Sequence, residues 1–192
     1  GRTYDSSRNE MIYPLLEDYS KSGGWLGCYP QITHCWRTIF PWTAPQFISF
    51  RAKEFASKNL DSITGYAVSS NRQHEFNVAA LAEWTWNANG RSLEEFAKAF
   101  ATINGFEHPE IFAKWAILAG EAGWSLAETR MLLSLIFDPG MGLAGEVPAD
   151  HRFEKAGIVE PENPDNALQT AQQALDAAFA MGDVKAISES KC

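Results

Sequence analysis

The stretch from Asp61 to Phe100 constrains the fold most tightly, because it strings together a short apolar run, a polar turn, an amphipathic helix and a second, capped helix. Ser62-Ile63-Thr64-Gly65-Tyr66-Ala67-Val68 is rich in β-formers and breaks into Ser69-Ser70-Asn71-Arg72-Gln73-His74, where every side chain can hydrogen-bond. Phe76 to Trp86 follows at helical spacing and closes on Asn87-Ala88-Asn89-Gly90, where Asn and Gly suit a left-handed helix end. Buried strand, polar turn, helix is the order in which a barrel ends. In α/β proteins ligands bind where a strand gives way to its helix.

The preceding residues repeat that unit. Residues 4–22 hold Met11, Ile12, Leu15, Leu16 and Tyr19 at helical spacing, with Asp5 or Ser6 as the cap and Gly23-Gly24 as the stop. Trp25 to Tyr29 is an apolar run suited to a fully buried strand, ended by Pro30 and opening into Gln31-Ile32-Thr33-His34-Cys35-Trp36-Arg37. From Pro45 to Lys58, the positions Phe47, Ile48, Phe50, Arg51, Phe55 and Ala56 predict another amphipathic helix. Helix, strand, helix, strand, helix over residues 5–87 predicts a parallel sheet covered by helices, with right-handed crossovers.

Beyond Gly90 the alternation stops and helices take over. Ser92-Leu93-Glu94-Glu95 reads as a capping box, and Gly105 closes the helix that it starts. Pro109 opens the next helix, which is expected to end at Gly120 or Gly123, and Ser125-Leu126-Ala127-Glu128 reads as a second capping box before Met131 and Leu132. Pro139 to Pro148 reads as a loop. After Asn163-Pro164 a long helix is expected, with Ala167, Leu168, Ala171, Leu175, Ala178 and Phe179 on one face; charged and small residues dominate after Gly182, and the last several residues are expected to fray. The expected class is thus α/β and then all-α, predominantly helical overall, with residues 1–90 and 91–192 as the two parts.

At 192 residues and 45% hydrophobic content, the chain has enough apolar material for a sizeable core. A net charge of −8 argues against nucleic acid or an anionic membrane as the main partner. No apolar run approaches the roughly 20 residues that a bilayer requires. Cys28, Cys35 and Cys192 have neither the spacing of a zinc site nor that of a disulfide framework, so Cys28 and Cys35 read as buried or half-buried thiols. The sequence lacks a phosphate-binding glycine loop, a dinucleotide fingerprint, a nucleophile elbow and a zincin motif, and no cofactor is expected.

A sugar-sized site is the best chemical reading. Tyr29, Trp36, Trp42 and Tyr66 offer flat apolar faces, while Gln31, Arg37, Asn71 and Arg72 offer donors to hydroxyls. His34 and His74 sit in the same two loops and would orient hydroxyls or, in a third reading, bind the metal of a small hydrolase. The rings are equally ordinary core material, and both Trp84 and Trp86 are assigned to structure. A glycosidase needs two carboxyl groups about 5 to 9.5 Å apart. Glu75 and Glu83 lie eight residues apart on one helix, roughly 12 Å along its axis, which disfavours that pair.

The run Phe76-Asn77-Val78-Ala79-Ala80-Leu81-Ala82-Glu83-Trp84-Thr85-Trp86-Asn87, followed by Arg91-Ser92-Leu93-Glu94-Glu95-Phe96, resembles the end of the catalytic barrel in bacterial glycoside hydrolases of the β-N-acetylhexosaminidase type, families 20 and 84. The resemblance covers residues 62–100 best, and the units in residues 5–60 fit as the preceding part of such a (β/α)8-type barrel. It implies a carbohydrate substrate, a secreted or periplasmic setting, and a catalytic carboxylate pair on an earlier strand, outside this chain. Family 20 enzymes carry a substrate-contacting Trp and Glu near the end of the last strand, whereas Tyr66 to Asn71 has neither. A full barrel takes about 250 residues. The expectation is therefore a fragment whose missing barrel lies upstream and whose site would be lined by Gln31, His34, Trp36, Arg37, Asn71, Arg72 and His74. The alternative is a non-catalytic helical interaction or scaffold module.

Overall fold

Two parallel strands of two residues each are the only sheet among the described residues, and helices account for nearly all the rest. The computed structural model describes residues 14–28, 45–65, 74–128 and 163–191. In chain order the elements are α1 (Pro14–Lys21), β1 (Gly27–Cys28), α2 (Pro45–Ser57), β2 (Ser62–Ile63), α3 (His74–Trp86), α4 (Leu93–Ile103), α5 (Pro109–Glu128), α6 (Pro164–Met181) and α7 (Val184–Ser190). The predominantly helical class expected from the sequence is observed.

β1 pairs with β2 in parallel, Gly27 opposite Ser62 and Cys28 opposite Ile63. The strand expected over Trp25 to Tyr29 starts only at Gly27, and its expected start is not buried, since Trp25 is 68% exposed. Glycine permits the close pairing here. A Cβ on Gly27 would lie 2.5 Å from Ser62 Oγ and 2.9 Å from the Trp25 ring. β2 likewise stops at Ile63, with Thr64-Gly65 irregular and Tyr66 to Val68 outside the described residues.

The core is aromatic and belongs to the helices. Phe76 and Trp84 on α3, Phe96 on α4 and Phe112 and Trp115 on α5 are all buried. The Phe76 ring lies 5.3 Å from Phe96 and 5.4 Å from Phe112, and Phe112 lies 5.6 Å from Trp115. Burying each such side chain stabilises the fold by about 1.5–3 kcal/mol. One apolar cluster runs from Ile48 on α2 through Ala80 and Trp84 on α3 to Ala178 on α6, so packing continues across Gly90.

Local signals set several helix ends. Ser92 Oγ accepts from the Glu95 N–H at 3.3 Å, while the Ser92 N–H donates to Glu95 Oε2 at 2.8 Å, forming the predicted capping box. Asn163 caps α6, and Gly182 ends it at φ 71°. The second expected capping box does not form a helix start. Ser125 to Glu128 is the last turn of α5, which runs through both Gly120 and Gly123. A helical glycine costs only about 1 kcal/mol, and Gly120 is buried, where the lack of a side chain suits close packing.

Two further expectations change. Leu168 and Phe179 are 72% and 52% exposed, and the buried face of α6 is Ala174, Ala177 and Ala178, a small-residue stripe toward the core. The end of the chain, where the last several residues are expected to fray, is ordered as far as Ser190. It forms α7, held by buried Ala186, by the Ala186 N–H donating to Asp183 Oδ1 at 2.8 Å, and by Trp115 Nε1 donating to Ser190 Oγ at 2.8 Å.

Candidate functional site

Parallel pairing fixes the end at which the chain leaves the two strands. Cys28 and Ile63 are register partners at the carboxyl ends of β1 and β2, so the chain leaves both strands at the same end of the pair. The segment after β1 leads to the start of α2 at Pro45, and the segment after β2 leads to the start of α3 at His74. Gln31, His34, Trp36, Arg37, Asn71 and Arg72 lie outside the described residues, as do Tyr29, Trp42 and Tyr66. His74 is the first residue of α3.

The two carboxylates near this end are separated as their spacing requires. Glu75 is exposed in the first turn of α3. Glu83 lies two turns on, where its Oε2 accepts from Arg91 Nη1 at 3.4 Å. The Arg91 carbonyl in turn accepts from Trp84 Nε1 at 3.2 Å. Glu83 therefore helps to clasp the α3–α4 turn. Trp84 is 1% exposed and structural as expected, but Trp86 is 92% exposed and contributes nothing to the core, which corrects its assignment to structure. The stripe Phe76, Ala80, Trp84 at four-residue steps carried that signal, because Trp86 falls half a turn away from it.

A charged cluster on α2 went unrecognised in the sequence. Arg51 and Glu54 have side chains only 3% exposed, with Arg51 Nη1 donating to Glu54 Oε2 at 2.8 Å. The guanidinium lies 5.3 Å from the Phe47 ring centroid and 5.2 Å from that of Phe50, a cation–π setting. Lys58 Nζ sits 3.9 Å from Glu54 Oε1 and 2.9 Å from Glu17 Oε1 on α1, and Lys21 Nζ is 3.7 Å from Glu17 Oε2. The Lys58 hydrogen bond holds the Glu17 carboxyl below its ordinary range. A carboxylate kept ionised by two ammonium groups is a poor proton donor, and its pairing with Lys58 ties α1 to the end of α2. The spacing Arg51, Glu54, Lys58 puts the three on one helix face and was the available signal.

Gln46, at the start of α2, donates from Nε2 to the Ile117 carbonyl on α5 at 2.7 Å, and its buried Oε1 has no hydrogen-bond partner. A shallow open groove between α5 and α6 is lined by Ile111, Lys114, Gln173 and Asp176. Among the described residues, no group of three or more His, Cys, Asp or Glu side chains is arranged to hold a metal ion, and no helix is long and apolar enough to cross a membrane. Comparison with protein-family models, curated proteins and solved structures finds no match to this chain.

Proposed function

We propose that this chain is the C-terminal part of a (β/α)-barrel glycoside hydrolase-like protein, residues 1–90, joined to a helical part, residues 91–192. The observation that supports this reading most is the parallel β1–β2 pair connected through α2, which the chain leaves twice at the same end. In this proposal Trp36 is the stacking platform for a sugar ring, and Gln31, His34, Arg37, Asn71, Arg72 and His74 orient hydroxyls. The acid/base carboxylates come from an upstream part of the barrel. No carboxylate follows β2 until Glu75, and Glu83 is engaged with Arg91.

The test is hydrolysis of a panel of chromogenic glycosides, N-acetyl-β-glucosaminide included, by this chain and by a form extended upstream in its source genome. Activity confined to the extended form supports the proposal. Activity in the 192-residue chain itself would mean that the carboxylates have been placed wrongly. Activity in neither favours the second reading, a helical interaction or scaffold module. The continuous aromatic core through α3, α4 and α5 favours that alternative, because such a core can fold without a barrel.

A further inference from the structure

Segment 14–28, comprising α1 and β1, is fastened to the rest of the described residues along one narrow strip. Glu17 pairs with Lys58, and Ser20 Oγ donates to the Asn59 carbonyl at 3.0 Å. The Leu26 N–H donates to Asp61 Oδ2 at 2.8 Å, and the Asp61 N–H donates back to the Leu26 carbonyl at 2.8 Å. β1 then pairs with Ser62-Ile63. All of these attachments fall within residues 58–63. Three large apolar side chains of the segment, Leu15, Tyr19 and Trp25, are 79%, 52% and 68% exposed, and among the side chains described none of the segment's belongs to the apolar core cluster.

We propose that residues 14–28 form an arm held by an electrostatic latch, with Glu17–Lys58 as its principal side-chain bond, and that the arm opens as a unit without unfolding the helical core. Local opening takes elements that bury little apolar surface and rely on polar contacts. Lys58 suits the latch role because it is largely buried, at 11% side-chain exposure, and reaches both Glu17 on α1 and Glu54 on α2. This bears on function through the reading proposed above. β1 leads directly into residues 30–37, so opening of the arm would part β1 from β2, the pair on which that reading rests.

Hydrogen exchange on the full chain, read by mass spectrometry peptide by peptide, tests the latch without any glycoside. Glu17→Gln is expected to speed exchange across residues 14–28 about two- to fivefold, the range for a single partly exposed ion pair. Raising salt to about 1 M, where screening acts within about 3 Å, should give the unaltered chain a similar gain and the variant little more. Peptides from α4, α5 and α6 should not change under any of these conditions. Lys58→Met added to Glu17→Gln should have little further effect on residues 14–28, and Glu17→Gln alone at two salt concentrations suffices if the double variant does not fold. Unchanged exchange in Glu17→Gln at low salt would overturn the proposal, as would acceleration spreading equally into α4–α6. Because activity is not the readout, the latch can fail while the glycoside reading stands, and the reverse.

Discussion

The two ends of this chain's described structure are held together by different physics. From α3 to α6 the packing is aromatic and aliphatic, with Phe76, Trp84, Phe112 and Trp115 all at or near zero exposure. Where α1 and β1 meet the end of α2 and β2 it is polar and ionic, organised around Lys58 and Asp61, with Trp25 largely in solvent. The first kind of packing has no directionality and scales with area. The second depends on a few distances and weakens with salt. One chain thus joins a region that should melt as a block to one that should open before it.

The largest expected effect is in the aromatic block. Phe112 touches Phe76, Phe100, Phe106 and Trp115, so Phe112→Ala should cost about 3–5 kcal/mol, read as a lowered urea midpoint by circular dichroism. Nearly as large is the expected cost of Arg51→Met, about 3 kcal/mol, because it removes the guanidinium that meets buried Glu54. Adding Glu54→Leu should recover most of that loss; no recovery would show that the cluster does not act as a pair. Gly27→Ala should cost about 1–3 kcal/mol by forcing a methyl against Ser62 and the Trp25 ring. Its signature should be faster exchange in residues 14–28 with the α3–α6 block intact, and an equal loss in both regions would erase the contrast drawn here.

Smaller effects sharpen the comparison. Ser92→Ala should cost about 1 kcal/mol by breaking the α4 capping box. The Ser92 backbone hydrogen bond, joined by its hydroxyl, holds the Glu95 carboxyl below its ordinary range. A carboxyl lowered on folding contributes stability that is complete above its unfolded pKa and is lost as pH falls through the folded one. Fraying at the start of α4 should therefore grow on acidification, and Glu95→Gln should remove that pH dependence in an exchange or NMR titration. Trp86→Ser should change stability by no more than about 0.5 kcal/mol, since the indole is 92% exposed.

How legible these features were depended on the range of the interaction. The Ser92–Glu95 box and the stop at Gly105 lie within a few residues, and the structure bears them out. The strand-like runs at Trp25–Tyr29 and Ser62–Val68 predicted pairing but not its extent, because a strand's length depends on its neighbours. Ser125–Glu128 has the residues of a helix start, yet Gly123 did not end the preceding helix. The expected sugar-site residues were read from loop chemistry. Of the seven, only His74 lies in a described element, at the start of α3.

The sequence alone determined that the chain is mostly helical, where most helices start and stop, and that α1, β1, α2, β2 and α3 alternate, since these follow from apolar period, caps and glycine placed locally along the chain. Tertiary structure decided which of two tryptophans two residues apart is core, that α6 buries its alanines in place of Leu168, and that Arg51 and Glu54 meet in the interior. Those outcomes depend on which face of each helix another element covers, and burial is settled between elements distant in the chain.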